Sequence, residues 1–95
     1  MEFPDDVRLI AMGKYSMLSK ERRAQVERVH TISKTIMHLA NPVLQELQDQ
    51  PPVEQKNLVE LLKCVRNLRR ARRKLVELGN HMNAIKPIAW GNTDA

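Results

Sequence analysis

Seven basic residues lie within twelve positions: Lys63, Arg66, Arg69, Arg70, Arg72, Arg73 and Lys74. An arginine fork binds a carboxylate or a phosphate through two parallel hydrogen bonds, so such a cluster could do the chemistry of anion recognition. No acid falls between Leu61 and Val76 to neutralise it. At 100° per residue, Lys63, Arg66, Arg69, Arg70, Arg73 and Lys74 fall in one band. Like charges spaced i,i+4 repel by a few tenths of a kcal/mol each. The competing explanation is a solvated face, whose bases suit the negative end of a helix macrodipole.

No other chemistry stands out. His30 and His38 fall on different sides of a helix, and Cys64 is the one cysteine, placed on a helix flank. No metal-ligand set is expected. A Gly-rich phosphate loop, a nucleophile elbow and a His-Glu-x-x-His motif are all missing. The sequence therefore predicts a non-enzymatic binding protein without a cofactor.

The elements that must position the band are helices. Phe3, Tyr15 and Trp90 are the only aromatics among 95 residues, and no run alternates apolar with polar long enough for a strand. We expect an all-α small helical bundle built on a long antiparallel hairpin, with a short N-terminal helix and a docked C-terminal tail, forming one domain over residues 1–95.

Leu58, Leu61, Leu62, Val65, Leu68, Leu75 and Val76 share an apolar third of the wheel, predicting a basic helix over 52–78. Pro51-Pro52 would open it and Gly79 stop it. Arg72 projects toward the middle of that face, where snorkelling, an acid or a partner would accommodate it. Ahead of it, Val26, Val29, Ser33, Ile36, Ala40, Val43 and Leu47 recur at alternating spacings of three and four. They predict a helix over 19–49, capped at Ser19 and kinked or broken near Pro42. Residues 1–18 read as the short N-terminal helix, stopped by Gly13. Residues 80–95 read as the tail, docking through Met82, Ile85 and Trp90. Core positions expected on these wheels are Val29, Ile36, Leu44, Leu61, Leu62, Val65 and Leu68.

Folding back around residues 50–51 sets Arg28 level with Arg73 and Arg22 with Gly79. Arg22, Arg23 and Arg28 would then join the band in one positive end, opposite an acidic hinge of Glu46, Asp49 and Glu54. The net charge of +5 agrees with an anionic partner. The expected function is a small regulator or adaptor that docks this surface on a larger protein, a nucleic-acid-processing complex among the candidates. The alternatives are direct binding of DNA or RNA phosphates and self-assembly as a helical dimer. No apolar run approaches a membrane span, and the acidic start Met1-Glu2-Phe3-Pro4-Asp5-Asp6 carries no signal peptide, so a cytoplasmic location is expected.

Overall fold

The computed structural model describes residues 3–49 and 54–91, and among these it contains two long helices and no strand. Helix α1 spans Asp5–Gln48 (44 residues) and α2 spans Lys56–Trp90 (35 residues). The all-α helical hairpin expected from composition and periodicity is present. No described helix is long and apolar enough to cross a membrane.

The finer boundaries differ. The separate N-terminal helix over 1–18 is not there, because α1 runs unbroken through Gly13 and Ser19. It also passes Pro42 without interruption, with Pro42 itself exposed. A stop or cap signal is a local preference of about 1 kcal/mol. Breaking α1 at Gly13 would forfeit several backbone hydrogen bonds and displace Ala11 and Tyr15, which lie on its packed side. The start fits the expected chemistry: Arg8 N–H donates to the Pro4 carbonyl at 3.0 Å, with Asp5 and Asp6 in the first turn.

Helix α2 begins at Lys56 rather than Pro52; residues 50–53, with the Pro51-Pro52 opening, lie outside the described residues. It does not stop at Gly79 but continues through Asn80 and Pro87 to Trp90. Residues 80–90 are thus the last three turns of α2 rather than a separate docked tail, and residues 92–95 lie outside the described set. The true stop is Gly91, which alone among the glycines adopts a left-handed φ, of 70°. Its missing Cβ makes that conformation accessible.

The residues group into two compact units, 1–26 with 74–95 and 27–73. In the first, the sheltered positions are Arg8, Ala11, Tyr15, Leu18 and Gln25 on α1, and Leu75, Leu78, Met82, Ile85 and Ala89 on α2. In the second they are Val29, Ile32, Ile36, Leu39, Val43 and Glu46, and Asn57, Leu61, Cys64, Leu68 and Ala71. Every step but one is three or four in strict alternation, the seam of a left-handed coiled coil; Leu18 to Gln25 is a full seven, because Arg22 at the intervening seam position is exposed. The seam is thinly enclosed. Ala11, Val43, Ala71, Leu78 and Ala89 are buried, but among the described residues no large side chain is completely removed from water.

This seam lies one position off the expected one. Val29, Ile36 and Val43 are shared, but their partners are Gln25, Ile32, Leu39 and Glu46 rather than Val26, Ser33, Ala40 and Leu47. Of the expected core, Val29, Ile36, Leu61 and Leu68 are half-buried, whereas Leu44, Leu62 and Val65 are exposed. Ser33, on the edge, turns its hydroxyl back to the Val29 carbonyl at 2.8 Å.

One polar contact fixes the hinge. Both carboxylate oxygens of Glu46 accept backbone hydrogen bonds from the first turn of α2, Oε1 from Asn57 N–H and Oε2 from Leu58 N–H, each at 3.0 Å. They satisfy two of the four donors that a helix start leaves open, and the negative charge sits at the positive end of the macrodipole. Glu46 was legible as an acid at the hinge, but not as the cap of the other helix.

Two predictions follow from these local geometries. Replacing Glu46 by Ala should lower unfolding free energy by about 1–2 kcal/mol, with Glu46→Gln losing less because it keeps one acceptor; urea denaturation at fixed protein concentration measures both. A Cβ added at Gly13 or Gly79 would meet nothing within 4 Å. Gly13→Ala and Gly79→Ala should therefore each stabilise by roughly 0.5–1 kcal/mol, whereas Gly91→Ala should destabilise, as thermal melts can show.

Candidate interaction surface

The seam decides which way every basic residue of α2 points. Cys64 and Ala71 occupy it and are buried. Cys64 is therefore a seam residue and not a flank residue, and Arg72 does not stand in the middle of a buried face. Ala71 holds that place, and Arg72 lies exposed one position beyond. Ala71 is only 4% exposed, so the small side chain belongs where the wheel had centred the arginine.

Lys63, Arg66, Arg69, Arg70, Arg72, Arg73 and Lys74 are all exposed. They do not form a single face. Lys63, Arg66, Arg70 and Arg73 follow one another at steps of three and four along the side of α2 turned away from the seam. Val59, also exposed, begins the same row. Arg69 and Arg72 belong to a different row, beside the seam, with Leu58, Leu62 and Val65. Lys74 lies on the opposite flank.

These charges meet no carboxylate among the described residues. Among the described residues the ion pair formed is Lys56 Nζ to Glu54 Oε2 at 3.6 Å, at the hinge and largely exposed. No candidate base meets a carboxylate there. A row of four cations one turn apart, with free guanidinium forks, can bind a row of carboxylates or phosphates. Among the described residues, no three His, Cys, Asp or Glu side chains gather as a metal site would require.

The candidates on α1 divide between the units. Arg28 belongs with residues 27–73, while Arg22 and Arg23 belong with the unit that contains Lys74; all are exposed. The pairing across the hairpin is also a few residues longer than a fold about 50–51 implies. Glu46 reaches Asn57 and Leu58, and Tyr15 meets Trp90.

Of the docking residues expected in the last segment, Met82 and Ile85 are half-buried seam positions of α2. Trp90 remains 41% exposed. Its ring packs edge-on against Tyr15, with centroids 4.7 Å apart and planes at 86°. The pair borders an open cleft of about 340 Å³ that Met12, Ser16, Ser19, Lys20 and Arg23 complete. Lys20 was not singled out by the sequence, because only the Tyr15–Trp90 contact reveals its neighbourhood.

A further exposed surface is apolar, built mostly from residues that the sequence assigns to the buried seam and core. On α1, Ser33, Met37, Ala40, Leu44 and Leu47 form a second row at alternating steps of four and three, next to the seam. On α2, Leu58, Leu62 and Val65 form its counterpart. The helices of the hairpin run in opposite directions, and a two-fold perpendicular to both axes keeps matching rows on one side. Within residues 27–73 the two rows therefore make one face. Met37 is 75% exposed and Leu62 57%. The signal for it was present as an apolar band too wide for one partner helix. No family model, curated protein or solved structure matches the chain.

Proposed function

We propose that this chain is a non-enzymatic regulator or adaptor that lays the outer basic row of α2 on an acidic surface of a larger protein. The observation that carries this reading is the row Lys63, Arg66, Arg70 and Arg73, exposed and without a carboxylate partner among the described residues. Ten residues of helix separate its ends, so the row is about 15 Å long. That length matches a helix edge or a short acidic groove on a partner. Arginine outnumbers lysine in it, and the guanidinium fork suits carboxylates held at fixed spacing as well as phosphates. Val59, exposed at the start of the row, adds an apolar contact that a protein surface can use and a phosphate path cannot.

The second reading is direct contact with nucleic-acid phosphates, which the same four charges support. Replacing Arg66, Arg70 and Arg73 by Lys separates the two. A carboxylate-binding row should lose affinity for its partner by more than tenfold, because two or three bidentate pairs become point contacts worth about 1 kcal/mol less each. A phosphate-binding row should keep most of its affinity and lose it steeply with salt, since counterion release depends on charge.

Charge reversal of the whole row, with Lys63, Arg66, Arg70 and Arg73 all replaced by Glu, should abolish partner binding. Helical content and melting temperature should barely change, because these side chains lie off the seam and repel one another. Capture from nuclease-treated lysate, followed by titration of the purified partner and of random-sequence duplex DNA, measures each arm. Undiminished binding to both by the reversed variant would remove the row from any function.

A further inference from the structure

We infer that a second copy of this chain covers the exposed apolar face of residues 27–73, so that two hairpins form a four-helix bundle. The face consists of Met37, Ala40, Leu44 and Leu47 on α1 with Leu62 and Val65 on α2, all exposed. Its two rows repeat at the same alternation of three and four as the buried seam. That period is the imprint of a helix packed at a shallow left-handed angle, so the occupant is helical. Ala40, small and central in its row, lets a facing backbone approach closely.

The area points to a copy of the chain itself. The accessible surface is 7852 Å². A compact folded monomer of 11.0 kDa exposes about 5,600 Å². The excess, about 2,200 Å² over the whole chain, leaves room for the ~800 Å² that each partner contributes to an interface of standard size. Hairpins meeting through a shared two-fold cover both faces in one step, and the interface closes upon itself without exposing a new edge.

Charge sets the orientation. On this face the cations are Arg69 and Arg72, both at the end away from the hinge. Hinges at the same end would bring four guanidiniums together. Hinges at opposite ends separate the two pairs and bring apolar rows into register about Ala40 and Leu62. The outer row of Lys63, Arg66, Arg70 and Arg73 stays outside the bundle, so this inference stands apart from the proposed docking function.

Sedimentation equilibrium of the full chain should give twice its mass of 11.0 kDa. The melting temperature should rise with protein concentration, as it must when folding and association are linked. Leu44→Glu with Leu62→Glu should weaken association on the order of 100-fold or more, because four carboxylates become buried without partners. Lys63→Glu with Arg70→Glu, on the outer side, should change it by less than about threefold. If the leucine variant does not fold at all, the concentration-dependent melt of the unmodified chain still decides. A monomer at about 100 µM with a concentration-independent melt would overturn the proposal, as would a dimer that the two leucine substitutions leave intact.

Discussion

Two helices can shield only one stripe of each other. That constraint shapes the whole molecule, because each helix here carries an apolar band wider than one stripe. The hairpin buries one edge of the band, through Ala11, Val43, Ala71, Leu78 and Ala89, and leaves the other in water at Met37, Leu44 and Leu62. The residues it chooses to bury are mostly small. Small side chains bring backbones together and give up little area, so the half-buried Ile32, Ile36, Leu39, Leu61 and Leu68 supply much of the apolar area that the seam takes from water. Met37, Leu44 and Leu62 lie on the open edge, where a further layer of helix would cover them.

The register itself needs polar marks, since a heptad seam repeats every seven residues and tolerates slippage. Glu46 supplies one at the hinge, tying the end of α1 to the start of α2 by two charge-assisted hydrogen bonds. Gln25 is the other, a buried polar residue in an otherwise aliphatic run. Sliding either helix by one heptad would part Glu46 from the donors it caps and move Gln25 to a different setting, which disfavours the alternative pairings.

The class of fold was legible from Val29, Ile36, Val43, Leu61 and Leu68, whose period admits nothing but helix. The choice between Ile32 and Ser33, or between Leu39 and Ala40, was not. Either set completes the same alternation, and a wheel reports the centre of an apolar band, not the edge that a partner helix will select. Arg72 was misplaced for the same reason, being central to the band yet beside the seam. Gly13, Ser19 and Gly79 misled differently: each is a valid local stop signal, overruled by the continuity of a long packed helix. Among the anion-binding candidates, the charge cluster could be read directly. Its division into an outer row and an apolar-edged pair needed the seam, because a shift of one residue turns each side chain by 100°.

The reach of the Glu46 cap has a kinetic side. It joins residues eleven and twelve apart in sequence, whereas the Tyr15–Trp90 contact spans seventy-five. Loop closure is entropically cheapest at the cap, so pairing there precedes pairing at the termini, and each seam layer formed shortens the loop that the next must close. Loop entropy thus favours a zipper with its pull at the hinge. Opening runs the other way: amides near Tyr15 and Trp90 exchange with solvent first, and those around Val43 and Leu61 last.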